Sequence, residues 1–232
     1  ARLALCHGRA LTKASARHSA EESFHNDTVI VVCSVVGLTG IVPRVTTPDH
    51  EPDPWAMQLV LLRDKHHPAR QVDACEAAAR AVVFLLDDPR TQPGGPWHDA
   101  VRQWSDKRIR KIVRRASGKR WDDVQVLDGV TISQDPPPYA SPETGPARVR
   151  AFVPAPVHPQ PKQIDKLQVA GTNLPADGDS ATTEPVVTIE INPRIEMTTG
   201  KACAQCGHAA QLAHEAMTVS YTHLTLPTIY SV

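Results

Sequence analysis

Val186-Val187-Thr188-Ile189-Glu190-Ile191 alternates apolar and polar residues, the signature of a half-buried strand. A turn-rich connection follows, Asn192-Pro193-Arg194-Ile195-Glu196-Met197-Thr198-Thr199, and then Gly200-Lys201-Ala202-Cys203-Ala204-Gln205-Cys206-Gly207-His208-Ala209-Ala210. The order predicts strand, loop and an alanine-rich helix. Each helical residue turns by about 100°, so Lys201, Gln205 and His208 fall within roughly 60° of one another. Cys203, Cys206, Ala210 and Ala213 gather on the opposite side. An amine, an amide and an imidazole thus share one face of an element whose other face is small and apolar.

The rest of the chain is read outward from this unit. Its 232 residues suffice for one or two domains, and 41% apolar content suffices for a core. Net charge is zero, so attraction to nucleic acid would require a local patch, and 4% aromatic residues speak against base-stacking platforms. Twenty-one prolines against 12 glycines predict stiff connections between ordered segments. The five cysteines, Cys6, Cys33, Cys75, Cys203 and Cys206, form no dense pattern and suit a reducing cytoplasm. The apolar run from Thr28 to Val42 is short for a membrane span, and Glu21, Glu22 and Asp27 before it are wrong for an export signal.

Met57 to Leu62 is expected to be a strand and Arg70 to Leu86 an alanine-rich helix stopped by Asp87-Asp88-Pro89. A second helix is expected from Trp97 to Ala116, ended by Ser117-Gly118. Strands at Val124–Ile132 and Arg148–Val153, a short helix at Gln163–Leu167 and a polar linker from Thr172 to Pro185 complete the reading. Residues 1–44 read either as sequence upstream of a start near Val45 or as an N-terminal extension with one strand. After Met217 the alanine-rich, charged character stops abruptly. Residues 218–232 read as a non-native tail, resembling translated adapter sequence, with a short C-terminal strand as the alternative.

Strand, loop and alanine-rich helix occur twice. Aligning the two helices places Arg70 on Lys201, Ala74 on Gln205 and Ala77 on His208. The expected architecture is α/β, with a mixed four-stranded sheet and flanking helices, duplicated, the second copy incomplete. Residues 45–171 form a first, degenerate copy, 172–185 a linker, and 186–217 the start of a second.

Met197-Thr198-Thr199-Gly200-Lys201-Ala202-Cys203-Ala204-Gln205-Cys206-Gly207-His208-Ala209-Ala210 after a strand resembles the signature of the type 2 peptidyl-tRNA hydrolase family. Val149-Arg150-Ala151-Phe152-Val153-Pro154-Ala155-Pro156 with Ile164-Asp165-Lys166-Leu167 is similar to that fold's last strand and closing segment. The resemblance covers residues 55–217. It implies a small domain with a mixed four-stranded sheet, and hydrolysis of the ester joining a peptide to tRNA, which recycles tRNA. It implies peptidyl-tRNA as partner, no cofactor and no membrane. The family also places an Asp and a Thr late in the domain. Asp128-Gly129-Val130-Thr131 stands at about that place in the first copy, and the second copy lacks the region.

Ester hydrolysis needs an activated or oriented water and a stabilised oxyanion. His208 is the natural proton acceptor, its ordinary pKa of about 6.5 suiting neutral pH. Lys201, in the first helical turn, would join free backbone N–H groups in attracting a phosphate or oxyanion. Gln205 both donates and accepts, and would orient water or the substrate carbonyl. Cys203-x-x-Cys206 with His208 suggests zinc, but Cys206 and His208 would point about 160° apart on a helix, so no shared metal is expected. A second feature is basic. Lys107, Arg108, Arg110, Lys111, Arg114 and Arg115 surround Ile109, Ile112, Val113 and Ala116, which share one helix face. Such a helix would contact the tRNA backbone. The expected activity is that of a cytoplasmic peptidyl-tRNA hydrolase, with a non-catalytic RNA-binding module as the alternative.

Overall fold

In the computed structural model the described residues are 2–5, 31–35, 38–41, 54–176, 178–182, 187–191 and 195–223, with the backbone alone described for the first three segments and for 218–223. Three N-terminal strands, β1 (Arg2–Leu5), β2 (Val31–Val35) and β3 (Leu38–Ile41), stand where one was expected. A start near Val45 lies outside the described residues. The next unit runs β4 (Trp55–Leu62), α1 (Gln71–Leu86), α2 (His98–Ser105), β5 (Lys111–Ala116), α3 (Lys119–Val124), β6 (Gly129–Gln134), β7 (Ala147–Phe152), β8 (Ala155–Pro156) and α4 (Lys162–Asp165). The last elements are β9 (Val187–Ile191) and α5 (Thr199–His223), so helix continues at the backbone into the segment expected to be a tail. Residues 224–232 lie outside the described residues.

The chain is α/β. One sheet has the order β5-β4-β7-β6, with β4 and β5 parallel, the other neighbours antiparallel, and β8 pairing with β4. This is the expected mixed four-stranded sheet with a short addition. Alternation along β4 divides its two faces. Met57, Leu59 and Leu61 face the core that holds α1 and Trp104, while Val60 faces the smaller core of Trp121, Val124, Ile164 and Leu167 under α3 and α4. A second sheet has the order β1-β9-β2-β3. In β9, Val187 and Ile189 are buried in the same core as α1 and α5.

Helices α1 and α5 lie against each other between the two sheets, α1 touching β6, β7 and β1, and α5 touching β5, β2 and β9. A helix in such a middle layer has little solvent face, and α1 is buried at eleven of its sixteen positions. Alanines at 74, 77, 78 and 81 suit this place, because small side chains let neighbours approach on every side. Contacts advance together along both helices. Cys75 meets Cys203, Val82 meets Gly207 and Asp87 meets His214, so the two run parallel.

The helix expected from Trp97 to Ala116 is corrected. It stops at Ser105, and Lys111–Ala116 is a strand. Ile112 and Val113 are β-branched and favour a pleated surface. The spacing of Ile109, Ile112, Val113 and Ala116 suggests a helix only because β5 packs on both faces, Val113 into the large core and Ala116 into the small one. The strand expected from Val124 likewise begins at Gly129, after the unforeseen turn of helix α3.

Candidate functional site

The loop after β9 delivers the chain to the N-terminus of α5, where threonines and the 172–174 segment hold it. Thr198 Oγ1 accepts from Lys201 N at 3.4 Å, Thr199 Oγ1 accepts from Leu174 N at 2.9 Å, and Gly200 N donates to Thr172 O at 3.4 Å. The first-turn amides expected to be free for an anion are therefore engaged within the protein. Lys201 is exposed, and Gln205 and His208 are half-buried beside it. The three expected side chains thus lie along the outer side of α5.

The opposite side of α5 enters the core. Ala202, Cys203, Cys206, Ala209, Ala210 and Ala213 are buried. Cys203 Sγ lies 3.9 Å from Cys75 Sγ, and Cys75, Cys203 and Cys206 are free thiols. Hydrogen bonding to Cys75 and burial push the Cys203 and Cys206 thiols well above the ordinary range, which makes them poor nucleophiles. Among the described residues no group of three or more His, Cys, Asp or Glu is placed to hold a metal ion.

His208 differs from expectation in its proton affinity. Burial, and then the charge of Lys111, lower its pKa from 6.5 to about 3. The ring is neutral at physiological pH, with one nitrogen donating and the other accepting. It can orient a water or a carbonyl, but it is a weak base compared with an imidazole titrating near neutrality.

Lys111 reaches this site from β5, and sequence reasoning did not place it here. Its ammonium donates to Ile109 O at 3.3 Å and to Gln211 Oε1, and it stands 4.8 Å from the centre of the Trp104 ring. Gln211, fully buried, passes its own Nε2 to Glu215 Oε1 at 2.7 Å. Burial lowers the pKa of Lys111 to about 7, with Glu215 opposing. The signal available in the sequence was Gly207. A glycine inside a helix marks a close approach, and a methyl group there would sit 3.1 Å from both Lys111 Cδ and Val82 Cγ2.

The six basic residues expected to form an RNA-binding helix are dispersed. Lys107, Arg108 and Arg110 precede β5, and Lys111 is buried. Arg114 points into the α3–α4 side, donating to Gln58 Oε1, Leu167 O and Gln160 Oε1. Arg115 is tied to Ala170 O and Gln168 Oε1. Alternation along β5 sets Lys111 and Arg115 on one face and Arg114 on the other. Asp128 and Thr131 do not join α5 either. Thr131 Oγ1 donates to Gln125 Oε1 and accepts from Arg150 Nη1, on the far side of the sheet from Val130 and Ile132, which pack toward α1. An open cleft of about 520 Å³ on the α3–α4 side, lined by Arg120, Asp122, Asp123, Val126, Lys162 and Lys166, mixes both charges and is remote from α5.

Among the described residues no helix is long and apolar enough to cross a membrane. No protein-family model, curated protein or solved structure matches the chain.

Proposed function

We propose that this chain is a peptidyl-tRNA hydrolase-like protein of two related units, with its surviving site on α5. The observation that carries the reading is the helix itself. Lys201, Gln205 and His208 line its outer side directly after β9, while the cysteine and alanine side is buried. Lys201 supplies the charge that attracts a phosphate of the tRNA end, and Gln205 holds the ester carbonyl or the attacking water. His208 acts as a neutral partner in that hydrogen-bond network. Three free, buried thiols suit the reducing cytoplasm in which tRNA is recycled.

The test is release of N-acetyl amino acid from N-acetyl-aminoacyl-tRNA by the purified chain. His208→Ala is expected to slow release by about 10²-fold or more, the usual loss for a group that positions or exchanges a proton. Retained tRNA binding with no release by the wild-type chain would leave the non-catalytic RNA-binding reading instead. That reading has lost the basic helix on which it rested.

A further inference from the structure

The thiols of Cys75, Cys203 and Cys206 take no part in the proposed hydrolysis. Cys75 lies on α1, and Cys203 and Cys206 lie three residues apart on the buried side of α5. They meet in the middle layer, where alanines on both helices permit close approach. Cys75 Sγ is 3.9 Å from Cys203 Sγ, although the two residues are 128 positions apart in sequence. Cys206, one turn further along α5, is a second hydrogen-bond partner of Cys75. All three thiols are free, at 1%, 1% and 0% exposure. A small apolar side chain would fill any one of these places equally well. Three sulfurs converging from two helices have what apolar side chains lack, a pair of thiols in contact with a third beside them.

We propose that Cys75 and Cys203 are an oxidative modification site, at which a small uncharged hydroperoxide joins α1 to α5 through a disulfide, with Cys206 as the alternative partner. Cys75 Sγ, as thiolate, attacks hydrogen peroxide. The O–O bond breaks, an S–O bond forms, and the departing hydroxide takes the proton shed by Cys75 and leaves as water. Cys203 Sγ then attacks the sulfenic sulfur. The S–S bond forms, the S–O bond breaks, and the hydroxyl leaves with the Cys203 proton as a second water. Two thiols and one hydrogen peroxide give one disulfide and two waters, with two electrons passing from sulfur to the peroxide oxygens.

The contacts set the order of events. Hydrogen bonds from Cys203 and then Cys206 hold the Cys75 thiol below its ordinary range, against the effect of burial, and the thiolate is the attacking species. Cys203 begins as the poorer nucleophile, chiefly because it is hydrogen-bonded to Cys75. Oxidation of Cys75 removes that acceptor and releases Cys203 to attack. Burial selects the oxidant. A neutral hydroperoxide little larger than water enters through small local openings, whereas a charged peptide disulfide is excluded. The bond ties the first turns of α5 to α1, behind the face that carries Lys201 and Gln205, and its formation does not depend on the hydrolase reading.

The experiment exposes the purified full-length chain to hydrogen peroxide at neutral pH. Remaining thiols are blocked with N-ethylmaleimide in denaturant, and unreduced tryptic peptides are mapped by mass spectrometry. The expected product joins peptide 71–80, which carries Cys75, to the peptide beginning at Ala202, which carries Cys203 and Cys206. The oxidised chain should melt roughly 10 °C higher, because the bond closes a long loop, and dithiothreitol should reverse the shift. Cys203→Ala/Cys206→Ala should abolish the linked peptide, and Cys75→Ser serves if that variant does not melt cooperatively. Glutathione disulfide in place of peroxide should leave all three thiols free. A Cys75 that still takes the maleimide after peroxide, a bond confined to Cys203 and Cys206, or glutathione attached to any of the three overturns the proposal, whether or not the protein hydrolyses the ester.

Discussion

The first turns of α1 and α5 occupy matching places in two strand-loop-helix units, yet they handle polarity in opposite ways. In α1, Arg70, Asp73 and Glu76 are charged and all but inaccessible, at 4%, 1% and 1% exposure. Arg70 forms a two-bonded pair with Asp73 at 2.8 and 2.6 Å. The segment after residue 174 then closes over them. Pro175 O accepts from Gln71 N, Asp179 O accepts from Arg70 Nη1, and Thr182 Oγ1 reaches Glu76 Oε2 at 3.4 Å. In α5 the matching turns carry Lys201 exposed to solvent, with Gln205 and His208 half-buried beside it. One helix start has become a sealed electrostatic joint, and the other has kept polar groups at the surface. A sealed joint stabilises a fold, whereas only an open face can meet a substrate.

The comparison breaks first, and with the largest effect, at Arg70. Removing one member of a buried pair leaves the other charge without compensation, which costs about 3–5 kcal/mol. Arg70→Met is therefore expected to lower unfolding stability by that amount in urea titration at pH 7, because Asp73 has 1% exposure and no route to water. The double variant Arg70→Met/Asp73→Leu should recover part of the loss, since Asp73 is then gone while Glu76 stays buried. A single variant as stable as the wild type would show that the α1 joint is not sealed.

How much of this was legible in the sequence follows the same divide. β4 was readable as a near-continuous apolar run, β9 by one buried and one less buried side, and α1 and the start of α5 by their alanines. The face shared by Lys201, Gln205 and His208 came from the helical turn alone. β5 was not readable, because a strand packed on both faces and carrying Lys111, Arg114 and Arg115 has neither apolar alternation nor a continuous apolar run. Lys111 itself looked like one more solvated cation. Its role depends on an edge strand and a helix far apart in sequence meeting at Gly207, and local periodicity carries no information about such a meeting.

His208 sharpens the contrast through pH. Its pKa is lowered from 6.5 to about 3, first by burial and then by Lys111. The unfolded chain therefore binds the proton more readily, so this group makes stability fall as pH drops below 6.5 and stops contributing below about 3. At 1.36 kcal/mol per unit, the 1.5 units from pH 6.5 to 5 amount to about 2 kcal/mol. His214 works in the opposite sense. Hydrogen bonding and charge from Asp87 raise its pKa, so its contribution is present at low pH and is lost as pH rises through its folded value. Urea unfolding of wild type and His208→Gln at pH 8 and pH 5 isolates the first effect. The wild type should lose about 2 kcal/mol more than the variant over that interval. Equal losses would mean that the ring is solvated, and the α5 face would then be as open at His208 as it is at Lys201.

Lys201 gives the smallest effect on stability and the sharpest separation of the two helix starts. It is exposed, and a cation in a first turn opposes the helix dipole, so nothing in the fold depends on its charge. Lys201→Met should change unfolding stability by less than about 0.5 kcal/mol, as surface substitutions do. The equivalent change at Arg70 is expected to cost several times more, although the alignment sets the two cations on one another. If Lys201 attracts a tRNA phosphate, the same variant should weaken binding of peptidyl-tRNA and flatten its dependence on salt, since one fewer counterion is released per complex. A variant that is destabilised as strongly as Arg70→Met would place Lys201 in a sealed joint of its own, and the α5 face would cease to be a site.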